Sequence, residues 1–432
     1  MTDPSNPYDE LPYCCYPVEW TSPEQLALVS LLHGGPRIAL NSPYRVLELG
    51  CGNGANVLPM AYYRRQGSFV GVDGALSQIE IAELRRRELG LSNLEFLHAD
   101  FTSANERLEG EFDIILAHGV FSWIPPNVRE AFLELVARRL RRGGLLYLNY
   151  NSRPGWNIRG LVREFLLAQT AGLPGLHARA RFAQEVAGTM ASALEGPEHP
   201  YSRLMANEFR FVREGNITWV GHEFLAEYNQ PYWRSEFLAL AGLHRLEYVA
   251  DADFNRSSGR VPEDLSPKLA IEQITGRSVE DTIDLLCYRQ LHSPILTPAP
   301  FQPTPSSLDE LGKLRVASCL EACPAGEAGA NPIFKHPNGY EVEAREPFMD
   351  AGLAKLRPLW PRGARVDEIF PDVAQAAEDL RLLHRNGLIE LRCIEPEDCG
   401  VSGDLLNERE RAWGGYHTTP YHGVYLINPA SN

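Results

Sequence analysis

The chain has 432 residues, of which 44% are hydrophobic and 22% charged, and its formal net charge at pH 7 is −15. This length predicts two or three globular domains, and the composition excludes a disordered or coiled-coil chain. The acidic balance argues against a nucleic-acid partner, which requires a basic surface. The longest apolar runs, such as 144–148, are too short to cross a bilayer, so no membrane partner is expected.

The N-terminus and the cysteines bear on location and on metal binding. Residues 1–10 lack the charged and then apolar pattern of a signal peptide, so we expect a cytoplasmic protein. The eight cysteines are then expected to be reduced thiols. Cys319, Cys323, Cys393 and Cys399 lack the spacing of a zinc site, and no metal is predicted.

Strand and helix patterns alternate in the first third of the chain. A helix should begin at the capping box Thr21–Glu24 and run to about His33. Strands are expected after it at 45–49, 68–73, 94–99, 112–117 and 145–149, with helices at 53–65, 76–89 and 128–140. Such alternation predicts an α/β fold, in which helices cover both faces of a parallel sheet.

The pattern changes after Pro154. Residues 158–195 have a helical, Ala-rich pattern without strand signals. Two further strands are predicted at 244–250 and 291–296, with helices at 235–241 and 279–287. This order suggests that the helical stretch is an insertion and that the sheet is completed after it.

The segment 297–307 has four prolines in eleven residues and is the clearest linker in the chain. The unit beyond it has about 120 residues. Two helices and a strand within 366–392 predict a winged-helix-like α+β domain there.

The segment Val46–Gly54 carries the strongest chemical signal. Its strand runs into glycines at 50, 52 and 54 and then into a helix. Glycines let the backbone approach a ligand closely, and a helix N-terminus offers free N–H groups to a carboxylate. The glycines alone also fit a dinucleotide site. Glu48 favours a cationic ligand with an amino group and a sulfonium, such as S-adenosylmethionine, because a carboxylate there is unfavourable for a pyrophosphate.

Three acidic residues end successive strands. Asp73 follows Gly50 by 23 residues, where an acid can bind two ribose hydroxyls. Asp100 can accept a hydrogen bond from an adenine amino group, with Phe101 against the ring. Each acid alone is as readily a helix cap or a solvated loop residue. Together with Glu48 they favour one binding rim at the carboxyl ends of the strands.

Three motifs, 48–60, 118–125 and 150–156, resemble the bacterial methyltransferases that carry a methyltransferase regulatory domain. The best-described members of this family are the rickettsial-type protein-lysine methyltransferases. Segment 8–13 resembles the family's N-terminal segment, which lies over the cofactor. Segments 222–232 and 289–296 resemble the start and the end of the regulatory region. The resemblance covers about residues 8–300.

The sequence departs from the family at two places. It has Thr21-Ser22-Pro23 where the family has Thr-His-Pro, and Gly54-Ala55-Asn56 where the family has Gly-Gly-Asn. The first departure removes a histidine near the expected pocket. It therefore bears on the substrate more than on the cofactor.

Pattern and resemblance together predict a Rossmann-like class I methyltransferase sheet with a helical insertion and a separate C-terminal α+β domain. The expected segments are a SAM-binding core with an N-terminal lid at 1–157, a helical insertion at 158–221, a regulatory region that completes the sheet at 222–297, a Pro-rich linker at 298–307 and a winged-helix-like domain at 308–432.

The resemblance implies S-adenosyl-L-methionine as the cofactor. The expected cofactor-binding residues are Glu48, Gly50, Cys51, Gly52, Gly54, Asn56, Asp73, Gly74, Gln78, Asp100, Phe101 and His118. His118 is a candidate general base, but a position that packs on the adenine is favoured for it.

An amine acceptor needs desolvation and cation–π contacts, which aromatic side chains supply. Trp123 and Tyr13 join His118 as predicted catalytic residues. The predicted substrate-binding residues are Tyr150, Asn151, Trp156, His222 and Tyr228. Core packing is the alternative for each aromatic, and Trp123 and Trp156 are favoured because each follows a sheet strand. His222 and Glu223 at a helix start are more typical of a capping pair.

The leading hypothesis is SAM-dependent methyl transfer to a protein or peptide acceptor, at a lysine or another amine. The alternative is N- or O-methylation of a small-molecule natural product, and a third hypothesis is a non-catalytic SAM-binding regulator. No Asn/Asp-Pro-Pro-aromatic tetrad follows the fourth strand, which argues against nucleobase methylation. The helical insertion and the C-terminal unit suit either docking of a macromolecule or a homodimer interface.

Overall fold

A seven-stranded sheet forms the centre of the protein. The computed structural model describes residues 6–13, 15–196, 199–252, 278–323 and 331–394. The strand order is β3-β2-β1-β4-β5-β9-β7. The strands are β1 Tyr44–Leu49, β2 Gly67–Asp73, β3 Leu94–His98, β4 Phe112–Ala117, β5 Leu140–Leu148, β7 Leu246–Asp251 and β9 Pro294–Pro298.

Strands β1 to β5 are parallel, whereas β9 pairs antiparallel with both β5 and β7. Strand order reverses between β1 and β4, which is where open α/β sheets form their ligand crevice. The strands predicted after the helical stretch thus complete this sheet.

The predicted single strand 291–296 is wrong in one respect. It divides into β8 Leu291–His292, which pairs with β6 Tyr150–Asn151, and β9, which joins the central sheet. The division falls before Pro294, whose missing N–H cannot serve the hydrogen-bond ladder.

Side chains alternate between two cores because successive residues of a strand point to opposite faces. Val46 packs with Met60 and Tyr147 in one core, and Leu47 packs with Phe132 and Phe237 in the other. The helices of this part are α1 Pro7–Glu10, α2 Pro23–Leu32, α3 Val57–Tyr63, α4 Leu76–Glu88, α5 Ala104–Arg107 and α6 Pro126–Arg139.

Two of these helices begin later than predicted. The N-cap of α2 is Ser22, whose hydroxyl accepts from the Gln25 N–H at 3.2 Å, so the predicted box at Thr21 is wrong by one residue. Glu24, its supposed partner, forms a buried ion pair with Arg64 instead. Helix α3 begins at Val57 rather than Asn53, because the glycine loop takes up the intervening residues.

Helices α7 Arg153–Thr170, α8 Leu176–Leu194, α9 Pro200–Glu214 and α10 Ile217–Phe224 form the helical part with its own core. Ala180, Ala183, Ala187 and Ala191 are fully buried along one side of α8, where small side chains permit close packing of helices. Helices α11 Arg234–Leu243 and α12 Val279–Leu286 follow.

The C-terminal unit is α+β. Its first sheet has the order β14-β10-β15, and its second β11-β12-β13. The elements are α13 Leu308–Lys313, β10 Arg315–Ala317, β11 Glu321–Ala322, β12 Ile333–Lys335, β13 Glu341–Glu343, α14 Pro347–Leu356, β14 Ala364–Arg365, α15 Val366–Ile369, α16 Val373–Arg385 and β15 Glu390–Arg392. Its likeness to a winged helix and the domain boundaries stay predictions.

The C-terminal unit and the sheet domain share packing contacts. Leu28 and Leu31 of α2 belong to the apolar core of the C-terminal unit. In the Pro-rich linker, the Thr304 N–H donates to Gly34 O at 2.8 Å, and Arg37 Nη1 donates to Thr304 O at 2.9 Å. The linker is therefore bound to the end of α2 along part of its length.

Within the described ranges, no helix has the length and hydropathy needed to cross a membrane. Cys14 and Cys399 lie outside the residues that the structure describes.

Candidate active site

The loop after β1 depends on its glycines. Gly50, Gly52 and Gly54 have φ values of 76°, 52° and 78°, a region that other residues rarely adopt. A Cβ atom on Gly52 would lie 2.5 Å from the Sγ of Cys15. The N–H groups of Gly50 and Cys51 both donate to Val72 O, at 2.8 and 3.1 Å. The loop is thus held in a shape that only glycine permits.

Glu48 lies beneath this loop and is 3% exposed. Its Oε1 accepts from Asn56 Nδ2 at 2.7 Å, while its Oε2 has no hydrogen-bond partner in the described structure. Burial raises the pKa of Glu48 to about 8. The side chain of Asn56 also accepts from the Val18 N–H at 2.9 Å, which ties the N-terminal region to the carboxylate.

Asp73 fixes the loop from the end of β2. Its Oδ2 accepts from the Gly52 N–H and its Oδ1 from the Ala75 N–H, each at 2.8 Å. Burial raises the pKa of Asp73. Each carboxylate oxygen retains a further lone pair, so the predicted bonds to ribose hydroxyls remain open to it.

Asp100 is exposed, unlike the other two acids. Its Oδ1 accepts from the N–H groups of Thr102 and Ser103 at 2.8 and 2.9 Å. The hydrogen bond from the Thr102 hydroxyl is the main cause that lowers the pKa of Asp100, and these two bonds add to it. The alternative expected from the sequence, that Asp100 caps a turn, therefore explains the hydrogen bonds of its Oδ1. Phe101 packs edge-on against Phe132 with ring centroids 5.6 Å apart. The adenine contacts of both residues stay predictions.

Buried polar atoms without partners lie next to the glycine loop. Gln78 is 2% exposed, and neither its Oε1 nor its Nε2 has a hydrogen-bond partner in the part of the chain described. Its Oε1 lies 3.9 Å from the position of a Cβ on Gly52. The predicted residue Gly74 also borders this place, and its carbonyl accepts from Asn6 Nδ2 at 3.1 Å.

The N-terminal segment, residues 6–13, covers this edge of the sheet. Asp9 Oδ1 accepts from the Ser77 N–H at 3.0 Å, and the Glu10 carboxylate accepts from the Leu176 N–H of the helical part. His222 Nε2 lies 2.6 Å from Leu11 O. The segment thus spans the cleft between α4 and the helical part.

His222 is buried beneath this segment. Tyr8 stacks on its ring with centroids 4.3 Å apart, and Tyr13 meets it edge-on at 5.6 Å. The imidazole therefore holds the N-terminal segment in place. This position engages the side chain within the protein, whereas the sequence predicted contact with substrate.

His118 follows β4 and has Nδ1 2.8 Å from the Tyr147 hydroxyl and 3.3 Å from Asn149 Nδ2. Burial lowers the pKa of His118 to about 4, so the ring is neutral at pH 7. Trp20 meets it edge-on at 6.3 Å. An imidazole with so low a pKa accepts a proton poorly at pH 7, so the packing role favoured from the sequence suits His118 better than that of a general base.

The predicted pocket aromatics divide into two groups. Trp123 and Trp156 meet edge-on with ring centroids 5.3 Å apart. Tyr150 is 2% exposed and stacks on Phe237 at 4.1 Å, so the core alternative describes it.

Asn151 and Tyr228 lie in different surroundings from the tryptophan pair and from each other. Asn151 is buried, and its Nδ2 donates to Asn229 Oδ1 at 3.0 Å. Tyr228 is 38% exposed. Trp156 is itself 4% exposed, so the acceptor contacts of the tryptophan pair stay a prediction.

Residues 46–144 match the methyltransferase domain family. The chain carries a methyltransferase domain. It is 31% identical over 297 residues to RP789 of Rickettsia prowazekii, an alignment that covers 67% of this chain and 52% of RP789. It is 24% identical over 302 residues to sll1526 of Synechocystis, covering 68% of this chain and 59% of sll1526. The chain thus spans about half the length of RP789 and somewhat more of sll1526.

A solved structure shares the fold. The protein PKMT2 from Rickettsia typhi, in complex with AdoHcy, superimposes with a TM-score of 0.75 at 23% identity, over 89% of this chain and 78% of that chain. The predicted class I methyltransferase fold and the resemblance to rickettsial relatives are confirmed.

The residues of the methyltransferase domain fit S-adenosylmethionine. A Cβ on Gly50 or Gly54 would lie 2.4 or 2.7 Å from a neighbouring side chain, so the loop keeps this close-packed shape only with glycine. Glu48 Oε2 and both polar atoms of Gln78 lack a hydrogen-bond partner within the described ranges. Cys51, another predicted cofactor residue, is a buried thiol whose pKa is raised by burial. A neutral thiol and unpaired buried acceptors suit a ligand with an amino group and hydroxyls.

One sequence expectation about α10 is wrong. Glu223 was expected at a helix start, but α10 begins at Ile217, and the side chain of its N-cap Asn216 accepts from the Thr218 N–H at 2.8 Å. The capping prediction for Glu223 is therefore wrong, because the residue lies in the last turn. Burial raises the pKa of Glu223 to about 7.

Proposed function

We propose that this protein transfers a methyl group from S-adenosylmethionine to a protein or peptide acceptor, at a lysine or another amine. The observation that carries the proposal is the glycine loop, held by Asp73 and underlain by Glu48, with the N-terminal segment across it. Bound there, S-adenosylmethionine supplies a methyl group that is activated by the positive charge on sulfur.

The chain's own residues have three tasks in such a reaction. Asp73 and the glycine loop hold the nucleoside end, and Glu48 faces the amino group with an oxygen that has no partner in the described structure. Tyr8 and Tyr13, together with His222, cover the cleft and exclude water. Alignment and exclusion of water supply most of what an enzyme adds to an in-line displacement.

An amine acceptor is supported by the aromatic side chains at the cleft. Trp123 and Trp156 form an edge-to-face pair after β4 and at the start of α7. Aromatic faces attract a cation and desolvate it, which favours loss of its proton. The fold shared with PKMT2 and the helical part beside the cleft support a macromolecular acceptor over a small natural product.

Transfer of labelled methyl groups tests the proposal. The purified protein is incubated with methyl-labelled S-adenosylmethionine and a cell lysate, and the products are separated by size, with Asp73→Ala as the inactive control. We expect label in proteins that depends on Asp73. Label in small solutes would favour the natural-product alternative, and no label would favour a non-catalytic regulator.

A further inference from the structure

Two asparagine side chains are hydrogen-bonded to each other beyond the carboxyl end of β5. Asn151 Nδ2 donates to Asn229 Oδ1 at 3.0 Å, and we call these two side chains the amide pair. Asn151 is 4% exposed and belongs to β6, which follows β5 directly. Asn229 is half-buried and lies in the segment between α10 and α11. The amide pair therefore joins two segments that are 78 residues apart in the sequence.

Backbone hydrogen bonds fix both members of the amide pair. The Asn151 N–H donates to Ser122 Oγ, and Asn151 O accepts from the Tyr232 N–H, each at 2.9 Å. The Gln230 N–H donates to Ser122 O at 2.8 Å, so segment 229–232 is held on the same serine as Asn151. Side chains on segments fixed in this way lose little freedom when they bind a ligand.

The segment after β4 connects the amide pair with the glycine loop. A Cβ atom on Gly50 would clash with the Val120 side chain, so segment 118–123 contacts this loop. Ser122 of the same segment holds the amide pair, and Trp123 follows it. In the strand order, β4 and β5 lie on the side of β1 opposite to β2 and β3, which carry the predicted nucleoside contacts. The amide pair is therefore on the side of the cleft that the nucleoside leaves to the acceptor.

The amide pair keeps one hydrogen-bond donor and one acceptor for another molecule. A carboxamide has one oxygen and one NH2 group, and the bond within the pair uses one of each. Within the described ranges, neither Asn151 Oδ1 nor Asn229 Nδ2 has a hydrogen-bond partner, and neither is closed off from solvent. Rotation of both amides by 180° exchanges their roles and leaves the same set. The pair thus offers an uncharged donor and an uncharged acceptor side by side.

A peptide main chain has the complementary groups. An amino-acid residue in extended conformation presents its own N–H and C=O on the same side, as in the paired residues of an antiparallel sheet. Recognition of an extended peptide through these groups gives affinity that does not depend on charge. A simple amine has neither group, so the amide pair distinguishes a peptide acceptor from a small amine.

We propose that the amide pair binds the main chain of the residue that is methylated, with Asn151 accepting from its N–H and Asn229 donating to its C=O. The proposal rests on the proposed function and names what the site recognises besides the amine. The two asparagines are positioning residues here, because they hold the acceptor next to Trp123 and do not touch the reacting atoms.

The experiment uses Nα-acetyl-lysine-N-methylamide as the probe, because it has the lysine side chain and both main-chain groups. Its Nα-methylated form lacks the N–H, and n-butylammonium lacks the main chain altogether. Each compound is titrated into the full chain saturated with AdoHcy, and binding is followed by tryptophan fluorescence. AdoHcy affinity of every variant is measured by calorimetry.

Asn229→Asp is the decisive variant. The aspartate can still accept from Asn151 Nδ2, but an oxygen replaces the NH2 group that would donate to the probe. Asn338→Asp is the matched control, since it adds the same charge at an exposed asparagine of the C-terminal unit whose Oδ1 also accepts a hydrogen bond, from the Tyr340 N–H at 3.1 Å.

We expect the wild type to bind the probe at least about tenfold more tightly than its Nα-methylated form or n-butylammonium, because loss of a main-chain group leaves a polar atom of the amide pair unpaired. Asn229→Asp should bind the probe at least about tenfold more weakly, while its AdoHcy affinity stays within about twofold and its binding of n-butylammonium is not weakened. Asn338→Asp should bind all compounds as the wild type does.

Equal binding of the probe and its Nα-methylated form by the wild type would overturn the assignment, and so would undiminished binding of the probe by Asn229→Asp. If that variant also loses AdoHcy binding, the comparison of the two probes on the wild type decides. A wild type that binds AdoHcy but none of the compounds would likewise overturn it. Methyl transfer to protein in that case would leave the proposed function standing, whereas absence of both AdoHcy binding and methyl transfer would remove the proposed function itself.

Discussion

Burial changes the acid–base chemistry of Glu48 at the centre of the cleft. Its pKa rises from an ordinary 4.5 to about 8, because the neutral form is favoured away from water. The folded protein therefore keeps a proton that the unfolded chain releases above pH 4.5. Stability from this group is present below pH 4.5 and is lost as pH rises to about 8.

Glu48→Gln should accordingly raise the melting temperature of the ligand-free protein by a few degrees at pH 8 and change it little at pH 5. Each unit of pKa shift corresponds to about 1.4 kcal/mol. The same change should weaken S-adenosylmethionine binding, since a neutral amide attracts a cation less. Calorimetric melting at both pH values checks the first part. A lower melting temperature at pH 8 would contradict it.

Asp73→Ala should abolish AdoHcy binding in titration calorimetry, with at least a 100-fold loss of affinity. The substitution removes the acceptor for ribose hydroxyls and also releases the Gly52 N–H, to which Asp73 Oδ2 is bonded at 2.8 Å. Asp309→Ala, at an exposed aspartate of α13, serves as the control. Near-normal affinity of the Asp73 variant would refute the assignment of the cofactor site.

Trp123→Ala should lower turnover about tenfold or more while AdoHcy affinity stays within about twofold. The described ring partner of Trp123 is Trp156, which lies outside the glycine loop. Loss of the ring should therefore impair alignment of the acceptor rather than binding of the cofactor. Labelled methyl transfer and calorimetry test the two effects. An equal loss of both would assign Trp123 to the cofactor site.

At the scale of elements, the N-terminal segment depends on contacts with two distant parts of the chain. Asn6 binds the loop after β2, and Leu11 binds His222 on α10, 211 residues away. Segments held by few contacts open more readily than core strands. The rate of ligand release should therefore depend on the contacts of the N-terminal segment.

Tyr8→Ala should speed AdoHcy release about tenfold, because the stacking on His222 at 4.3 Å is lost. The association rate should change less, since the cleft itself is intact. Stopped-flow displacement measures both rates, with Tyr340→Ala as a control at a residue that is 66% exposed in the C-terminal unit. An unchanged release rate would show that the segment does not retain the ligand.

At the scale of the whole molecule, the C-terminal unit and the sheet domain are coupled by α2. Leu28 is 1% exposed and packs in the core of the C-terminal unit, although its helix belongs to the sheet domain. Across the same boundary, Arg37 pairs with Glu310 at 3.0 Å. The two parts should therefore unfold together.

Leu28→Ala should destabilise the protein by about 2–5 kcal/mol and shift one cooperative transition, since truncation of a buried leucine leaves a cavity. Scanning calorimetry measures the effect, and Leu84→Ala, at a residue that is 56% exposed, should shift the transition little. Two separate transitions, of which only one moves, would show that the units unfold independently.

Local sequence patterns determined the sheet strands and the cofactor loop. Strand β4 occupies 112–117 as predicted, because a run that is buried on both faces leaves an unbroken apolar signal. The glycine loop could be predicted equally well, because its positive φ values restrict the residue types that it can contain. Glu48 and Asp73 follow from their fixed distances to that loop.

The tertiary structure alone decided how the side chains beyond this loop are used. Tyr150 is in the core and His222 is hydrogen-bonded to Leu11 O, although tyrosine and histidine are residue types that often line binding pockets. Contacts between residues so far apart in sequence produce no periodic pattern of apolar and polar residues in either segment. The strands and the glycine loop, in contrast, are determined by residues only a few positions apart.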